Sequence, residues 1–209
     1  YTLPRSYDYL FTTGNTVYAV YNTFIYKLDI SDLSSITDTP VVSLSSNQYF
    51  NYPPSAEGDN LLYNVYDGSV SDNNRIVYKK EGSNTPEIVY QGNNCCYAPV
   101  LLNDRMFLFD SNVSYEIIDG VYTNYTYYSS ANDIQRNHIK VFNGEIYAPI
   151  NDQTDNSNYQ VIAKLSLPVN DGNNDSGDYG TFDVLPITMS LIEGSPEYFA
   201  VEPQGNLII

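Results

Sequence analysis

Apolar and aromatic residues come along this chain in short alternating runs, each closed off by Gly, Asn, Asp, Ser or Pro. Thr16–Tyr21 reads Thr-Val-Tyr-Ala-Val-Tyr, and Leu61–Tyr66 reads Leu-Leu-Tyr-Asn-Val-Tyr. Runs of this length, rich in β-branched and aromatic residues, predict strands. Gly14-Asn15 and Asn143-Gly144 suit tight hairpin turns, because both residue types tolerate positive φ. No window of a dozen residues keeps apolar positions at i, i+3, i+4 and i+7 without a breaker, so long helices are not expected. Short helical turns are expected only within Ser129–Lys140 and at Ser31–Ser35.

The pattern repeats. A turn residue followed three positions later by an aromatic occurs at Asn15–Tyr18, Asn60–Tyr63, Asp104–Phe107 and Gly144–Tyr147, with a fifth start at Gly205 before Asn206-Leu207-Ile208-Ile209. Each repeat reads as four strands. First strands are expected at Tyr7–Thr12, Tyr52–Ala56, Tyr97–Leu102, Ile139–Phe142 and Tyr198–Glu202. Second strands are expected at Thr16–Tyr21, Leu61–Tyr66, Met106–Asp110 and Glu145–Ile150. Third strands are expected at Phe24–Ile30, Arg75–Lys80, Ser114–Ile118 and Tyr159–Leu167. Fourth strands are expected at Pro40–Leu44, Glu87–Tyr90, Val121–Tyr127 and Thr181–Ile187. Pro53-Pro54 makes Tyr52–Ala56 a poor strand, since proline cannot donate to a ladder.

Four-stranded repeats of this length resemble β-propeller blades. Gly14-Asn15-Thr16-Val17-Tyr18 and Asn143-Gly144-Glu145-Ile146-Tyr147 look like the blade pattern of many extracellular propellers, and Lys27-Leu28-Asp29-Ile30-Ser31-Asp32 resembles a third strand with its exit turn. The likeness is to an architecture and not to one family. There is no Trp-Asp pair, as WD40 repeats need, and no Gly-Gly pair, as kelch repeats need. The resemblance implies an all-β, propeller-like domain over 1–209 with four repeats and a partial fifth; a β-sandwich or irregular barrel is the alternative. The unfinished fifth repeat raises the expectation that the chain is a fragment or processed part of a longer one. The start at Tyr1, without a signal peptide, fits the same expectation.

Charge narrows the partners. The chain has 25 Asp plus Glu against 9 Lys plus Arg, a net charge of −16. That excludes the basic face that nucleic acid requires. No apolar run approaches the roughly 18 residues of a membrane-spanning helix. Low lysine with abundant Asn, Ser, Thr and 22 Tyr fits an extracellular or cell-surface protein. Three sequons, at Asn112, Asn124 and Asn174, are candidate glycosylation sites.

Candidate chemistry is sparse. His138 is the one imidazole, it stands in the polar stretch Gln135–His138, and no Gly-x-Ser-x-Gly elbow accompanies it. Asp59, Asp104 and Glu145 fall at the repeat turns and are the carboxylates that a glycan-active enzyme would have to pair; solvated turn acids are the plainer reading. The loop Asp171-Gly172-Asn173-Asn174-Asp175-Ser176-Gly177-Asp178 offers oxygen ligands at Asp171, Asn173, Asp175 and Asp178 for calcium, the sole cofactor expected. It departs from the EF-hand rule, with Gly at the seventh position and no Glu at the twelfth. Adjacent Cys95 and Cys96 cannot staple distant segments; two unpaired thiols or a strained vicinal disulfide remain.

Tyr122, Tyr125, Tyr127 and Tyr128 are dense enough to form an exposed contact ridge for a protein or glycan. Leu207, Ile208 and Ile209 would form an apolar strand edge open to addition of a further strand. These features point to a non-catalytic structural or adhesive protein. It would act by self-assembly into a layer or filament, or by binding a protein or glycan. A glycan-active enzyme is the alternative.

Overall fold

The computed structural model describes residues 2–92, 97–111, 113–127, 132–142, 144–152, 159–166, 182–184, 200–201 and 207–208. At 60 % strand and 2 % helix, the protein is all-β, built from several small antiparallel sheets. Its residues group into two compact units, 1–106 and 107–209.

The first sheet is a meander of β1 (Tyr9–Thr13), β2 (Thr16–Tyr21), β3 (Phe24–Asp29) and β4 (Thr37–Ser43), paired in chain order. Gly14 turns β1 into β2 at φ +54°, which the first central position of this two-residue loop requires and which glycine adopts without a Cβ clash. Ser31–Ser35 forms no helix. Asp29 Oδ1 accepts the Ser31 N–H at 3.0 Å, and Asp32 Oδ1 accepts the Ser34 N–H at 2.9 Å. These side-chain bonds hold turns instead, because Asp competes for the backbone donors that a helix would use.

The second sheet contains β5 (Gln48–Phe50), β6 (Ser55–Glu57), β7 (Asn60–Asp67), β8 (Asn74–Lys79) and β9 (Glu87–Gly92). Its order is β5-β7-β8-β9, and β6 also pairs with β7. The expected single strand at Tyr52–Ala56 is therefore two pieces on one partner. Gln48–Phe50 faces Val65–Asp67, while Ser55–Glu57 faces Asn60–Leu62. Pro53 and Pro54 fall in the gap, where no ladder donor is needed.

The third sheet runs β10 (Ala98–Leu102), β11 (Arg105–Phe109), β12 (Val113–Ile118) and β13 (Val121–Tyr127), in that order. The fourth repeats the split of the second. β14 (Asn132–Ile134) and β15 (Lys140–Phe142) both pair with β16 (Glu145–Asp152), followed by β17 (Tyr159–Leu165) and β18 (Phe182–Val184). The break between β14 and β15 holds a 3-10 turn, Arg136–His138, inside the segment expected to carry one. Last come β19 (Ala200–Val201) and β20 (Leu207–Ile208), a two-stranded pair.

A bulge recurs between third and fourth strands. The registers skip Val41 in β4, Val89 in β9 and Thr123 in β13. An extra residue there twists the outermost strand and makes it a poorer template for a foreign strand. It also accommodates Pro40 in an edge strand.

Within residues 1–106, one face of the first sheet packs on one face of the second. Phe11, Tyr18, Val20, Ile25 and Val42 meet Phe50, Leu61, Tyr63, Val65 and Val77 in a single cluster. Phe11 stacks on Tyr18 at 5.3 Å between ring centres, and Phe50 meets Tyr63 edge-on at 5.8 Å. β1 and β10 both lie against β6.

The turns at that end are bonded one to the next. Thr13 Oγ1 accepts the Gly58 N–H at 3.0 Å, and the Tyr18 hydroxyl donates to Asp59 Oδ1 at 2.6 Å. Further along, the Glu57 carboxylate accepts the N–H groups of Asn103 and Asp104, both at 2.8 Å. Those two residues stand at φ +54° and +59°, the positive pair of a type I′ turn. Replacing Glu57 with Ala hands both N–H groups to water, so Glu57→Ala should lower stability by about 1 kcal/mol. Urea unfolding with an unchanged slope is the measurement that checks it.

Candidate binding cleft

Most positions singled out from the sequence lie apart from one another or outside the described residues. Asp171, Asn173, Asp175 and Asp178, the calcium candidates, lie outside them, as do Asn112, Asn174, Tyr128, Ile209, Cys95 and Cys96. The backbone places Asn124 in β13 opposite Glu116, with Tyr125 opposite Tyr115 and Tyr127 opposite Val113. Tyr122 stands opposite Ile117, beyond the bulge. Leu207 and Ile208 pair with Val201 and Ala200, so one side of the expected assembly edge is already taken within the chain. Among the described residues, no three His, Cys, Asp or Glu side chains gather into a metal-binding group. No helix among them is long and apolar enough to cross a membrane.

Acids at the turns are held by structural bonds. Asp59 takes the Tyr18 hydroxyl and the Lys27 ammonium, whose Nζ lies 2.7 and 2.9 Å from its two oxygens. The Lys27 bond, then the tyrosine, depress the Asp59 pKa, while burial followed by the Asp59 bond raises that of Tyr18. Glu145 lies 3.6 Å from Lys164. Asp110 meets Arg136 at 2.6 Å and accepts the Ser111 N–H at 2.7 Å.

The strongest such site was not singled out in the sequence. Asp67, 4 % exposed at the end of β7, accepts from the Ser69 hydroxyl, the Ser69 N–H at 3.0 Å, Gln48 Nε2 at 2.7 Å and Arg75 Nη1 at 2.7 Å. These donors, the serine hydroxyl foremost, pull its pKa down to about 2. The local signal was legible: among the described residues Asp-x-Ser occurs at 29–31, 32–34 and 67–69, and each aspartate accepts the N–H two residues on.

An open cleft is found among the described residues. It lies at the end of the first two sheets opposite the Gly14 and Gly58 turns, with a volume of about 360 Å³. Asp8, Tyr9, Val20, Asn22, Tyr49 and Phe50 line it. Buried Val20 and Phe50, both members of the shared core, supply an apolar base. Tyr49 borders the cleft from β5, but alternation with core-facing Phe50 puts its ring on the other face of the sheet, where it is 50 % exposed and braced against Tyr66 across the β5–β7 ladder, with centres 4.9 Å apart and planes 27° from parallel. Asp8 Oδ2 accepts the Asn22 N–H at 3.0 Å, which fixes the carboxylate against the β2–β3 turn. The cleft thus joins a held carboxylate, Asp8, with an apolar base, while the Tyr49–Tyr66 pair stands on the other face of the second sheet.

Compared with known protein families and with curated proteins, the chain matches none.

Proposed function

We propose that this protein is a non-catalytic recognition module of the extracellular or cell-surface kind, and that it engages its partner through the exposed Tyr49 ring of the second sheet. The single observation that carries this reading is the half-exposed Tyr49 ring held rigid against Tyr66. A large exposed aromatic with little freedom left to lose is a favourable contact residue, since its ordering cost is already met in the free protein. Four meanders in succession, with β1, β6 and β10 side by side, support a propeller-like arrangement as the scaffold. The structural bonds of Asp59, Asp67, Asp110 and Glu57 support binding over glycan hydrolysis.

The test is an array of immobilised glycans and of basic, neutral and acidic peptides, probed with wild type and with Tyr49→Ala. Wild type should be retained on at least one class, and Tyr49→Ala should lose about tenfold in affinity, the order expected for removing one desolvated aromatic contact. Retention that ignores Tyr49 would overturn its role as the contact residue. Release of reducing sugar from any arrayed glycan, abolished by Asp8→Asn, would replace the module with an enzyme.

A further inference from the structure

We propose that Tyr49 and Tyr66 form an oxidative cross-linking site: under a one-electron oxidant of the peroxidase kind, fed by hydrogen peroxide, their rings join as a dityrosine. This chemistry is separate from recognition and does not depend on it. The two residues stand directly opposite each other, Tyr49 on β5 and Tyr66 on β7, in an antiparallel ladder. Opposed side chains of such a pair share one face of the sheet and touch. The ring centres are 4.9 Å apart and the planes 27° from parallel. Tyr49 is exposed and Tyr66 partly so, which puts the pair within reach of an oxidant in solvent. Among the described residues, neither hydroxyl has a hydrogen-bond partner.

A second tyrosine pair shows what sets the first apart. The rings of Tyr7 and Tyr26 lie 6.2 Å apart, with planes at 58°. The Tyr7 hydroxyl donates to Asp38 Oδ2 at 2.6 Å, and that of Tyr26 accepts from Arg5 Nη1 at 3.2 Å. These bonds hold the two rings tilted and farther apart, and Tyr26 is buried away from solvent. Phe11 with Tyr18 and Phe50 with Tyr63 also bring rings together, but phenylalanine has no phenol to oxidise. Tyr49 and Tyr66 combine nearness, near-parallel rings, exposure and free hydroxyls.

The reaction balances with the peroxide. Each phenol gives one electron and its hydroxyl proton to the oxidant. The unpaired electron spreads to the ring carbons beside the oxygen, and one such carbon from each ring forms the new C–C bond. The hydrogen on each joined carbon then moves to the oxygen of its own ring, which restores both aromatic rings and both hydroxyls. The two electrons and two protons removed turn one hydrogen peroxide into two waters. Two radicals held side by side by a ladder couple with each other ahead of a radical on another chain. The link ties β5, a three-residue strand at the end of its sheet, covalently to β7. A cross-link of this kind also removes freedom from the unfolded chain.

The test oxidises dilute protein with a haem peroxidase and hydrogen peroxide, isolates the single-chain product and cleaves it after Glu57, which separates the two tyrosines in sequence. The peptides that carry Tyr49 and Tyr66 should stay joined, two hydrogens lighter than their sum, with the blue fluorescence of a biphenol. Tyr49→Phe and Tyr66→Phe should each abolish that product, and Tyr7→Phe should leave it; matching melting curves before oxidation show that the variants fold. The linked protein should melt several degrees higher than the unlinked one. Oxidation of the urea-unfolded chain should lower the yield of the link by about tenfold. A single-chain product without the 49–66 link, or one joined mainly at other tyrosines, overturns the proposal. Equal yields from the folded and the unfolded chain overturn it as well, because the ladder would then contribute nothing.

Discussion

Tyr63→Ala should destabilise the protein by about 3–5 kcal/mol, the cost of emptying an aromatic-sized space in a packed core. Tyr63 is 1 % exposed on β7 and belongs to the cluster that the first two sheets share. Its ring is the edge partner of Phe50, and Phe11, Tyr18, Leu61 and Val65 belong to the same cluster. The cost is high because the cavity would lie between two sheets, each held in register by its own ladder, so neither can close on it without losing backbone bonds. Tyr63→Phe keeps the ring and should cost far less. The comparison separates packing from the hydroxyl. Thermal and urea unfolding of both variants provide the check; if Tyr63→Ala loses no more than Tyr63→Phe, the two faces are not packed as described.

Strand positions were legible because their cause is local. Thr16–Tyr21 and Val121–Tyr127 form over the very residues expected, the first followed and the second preceded by a turn with positive φ. The divided first strand was half legible. The prolines marked Tyr52–Ala56 as weak, but that β5 would form upstream and share β7 depends on pairing with residues well beyond it in sequence. Ser31–Ser35 failed as a helix because Asp29 and Asp32 bond the nearest backbone donors first.

The cleft was not legible at all. Asp8 precedes a strand, Asn22 sits in a turn and Tyr49 opens a repeat; no spacing rule links them, and only the packing of one sheet on the next does. Tyrosine density pointed instead to Tyr122–Tyr128. The exposed tyrosine of the proposed contact, Tyr49, is a single residue whose exposure depends on where β5 lies in its sheet.

Asp67→Asn should produce the second large effect, and its pH dependence identifies the cause. In the folded protein the Ser69 hydroxyl, Gln48, the Ser69 N–H and Arg75 all favour the ionised carboxylate and place its pKa at about 2. In the unfolded chain an aspartate titrates near 3.9, about two units higher. Between these values the unfolded state binds more protons, so stability falls as the solution is acidified. The contribution of Asp67 is complete above about pH 4 and is lost as pH falls towards 2.

At neutral pH, Asp67→Asn removes the negative partner of Arg75, a guanidinium in a side chain only 19 % exposed. An uncompensated charge there is the costly outcome of breaking a buried pair, so the melting temperature should drop by several degrees. The gap between wild type and variant should then narrow across pH 4 to 2. Asp29, Asp32 and Asp59 also have lowered pKa values, but they titrate in both proteins and cancel in the difference. Melting curves that stay parallel from pH 7 to pH 2 would mean that Asp67 acts through shape alone. Curves that converge would identify its charge, held at the end of β7, as one of the bonds that joins β5 to β7 and so positions Tyr49.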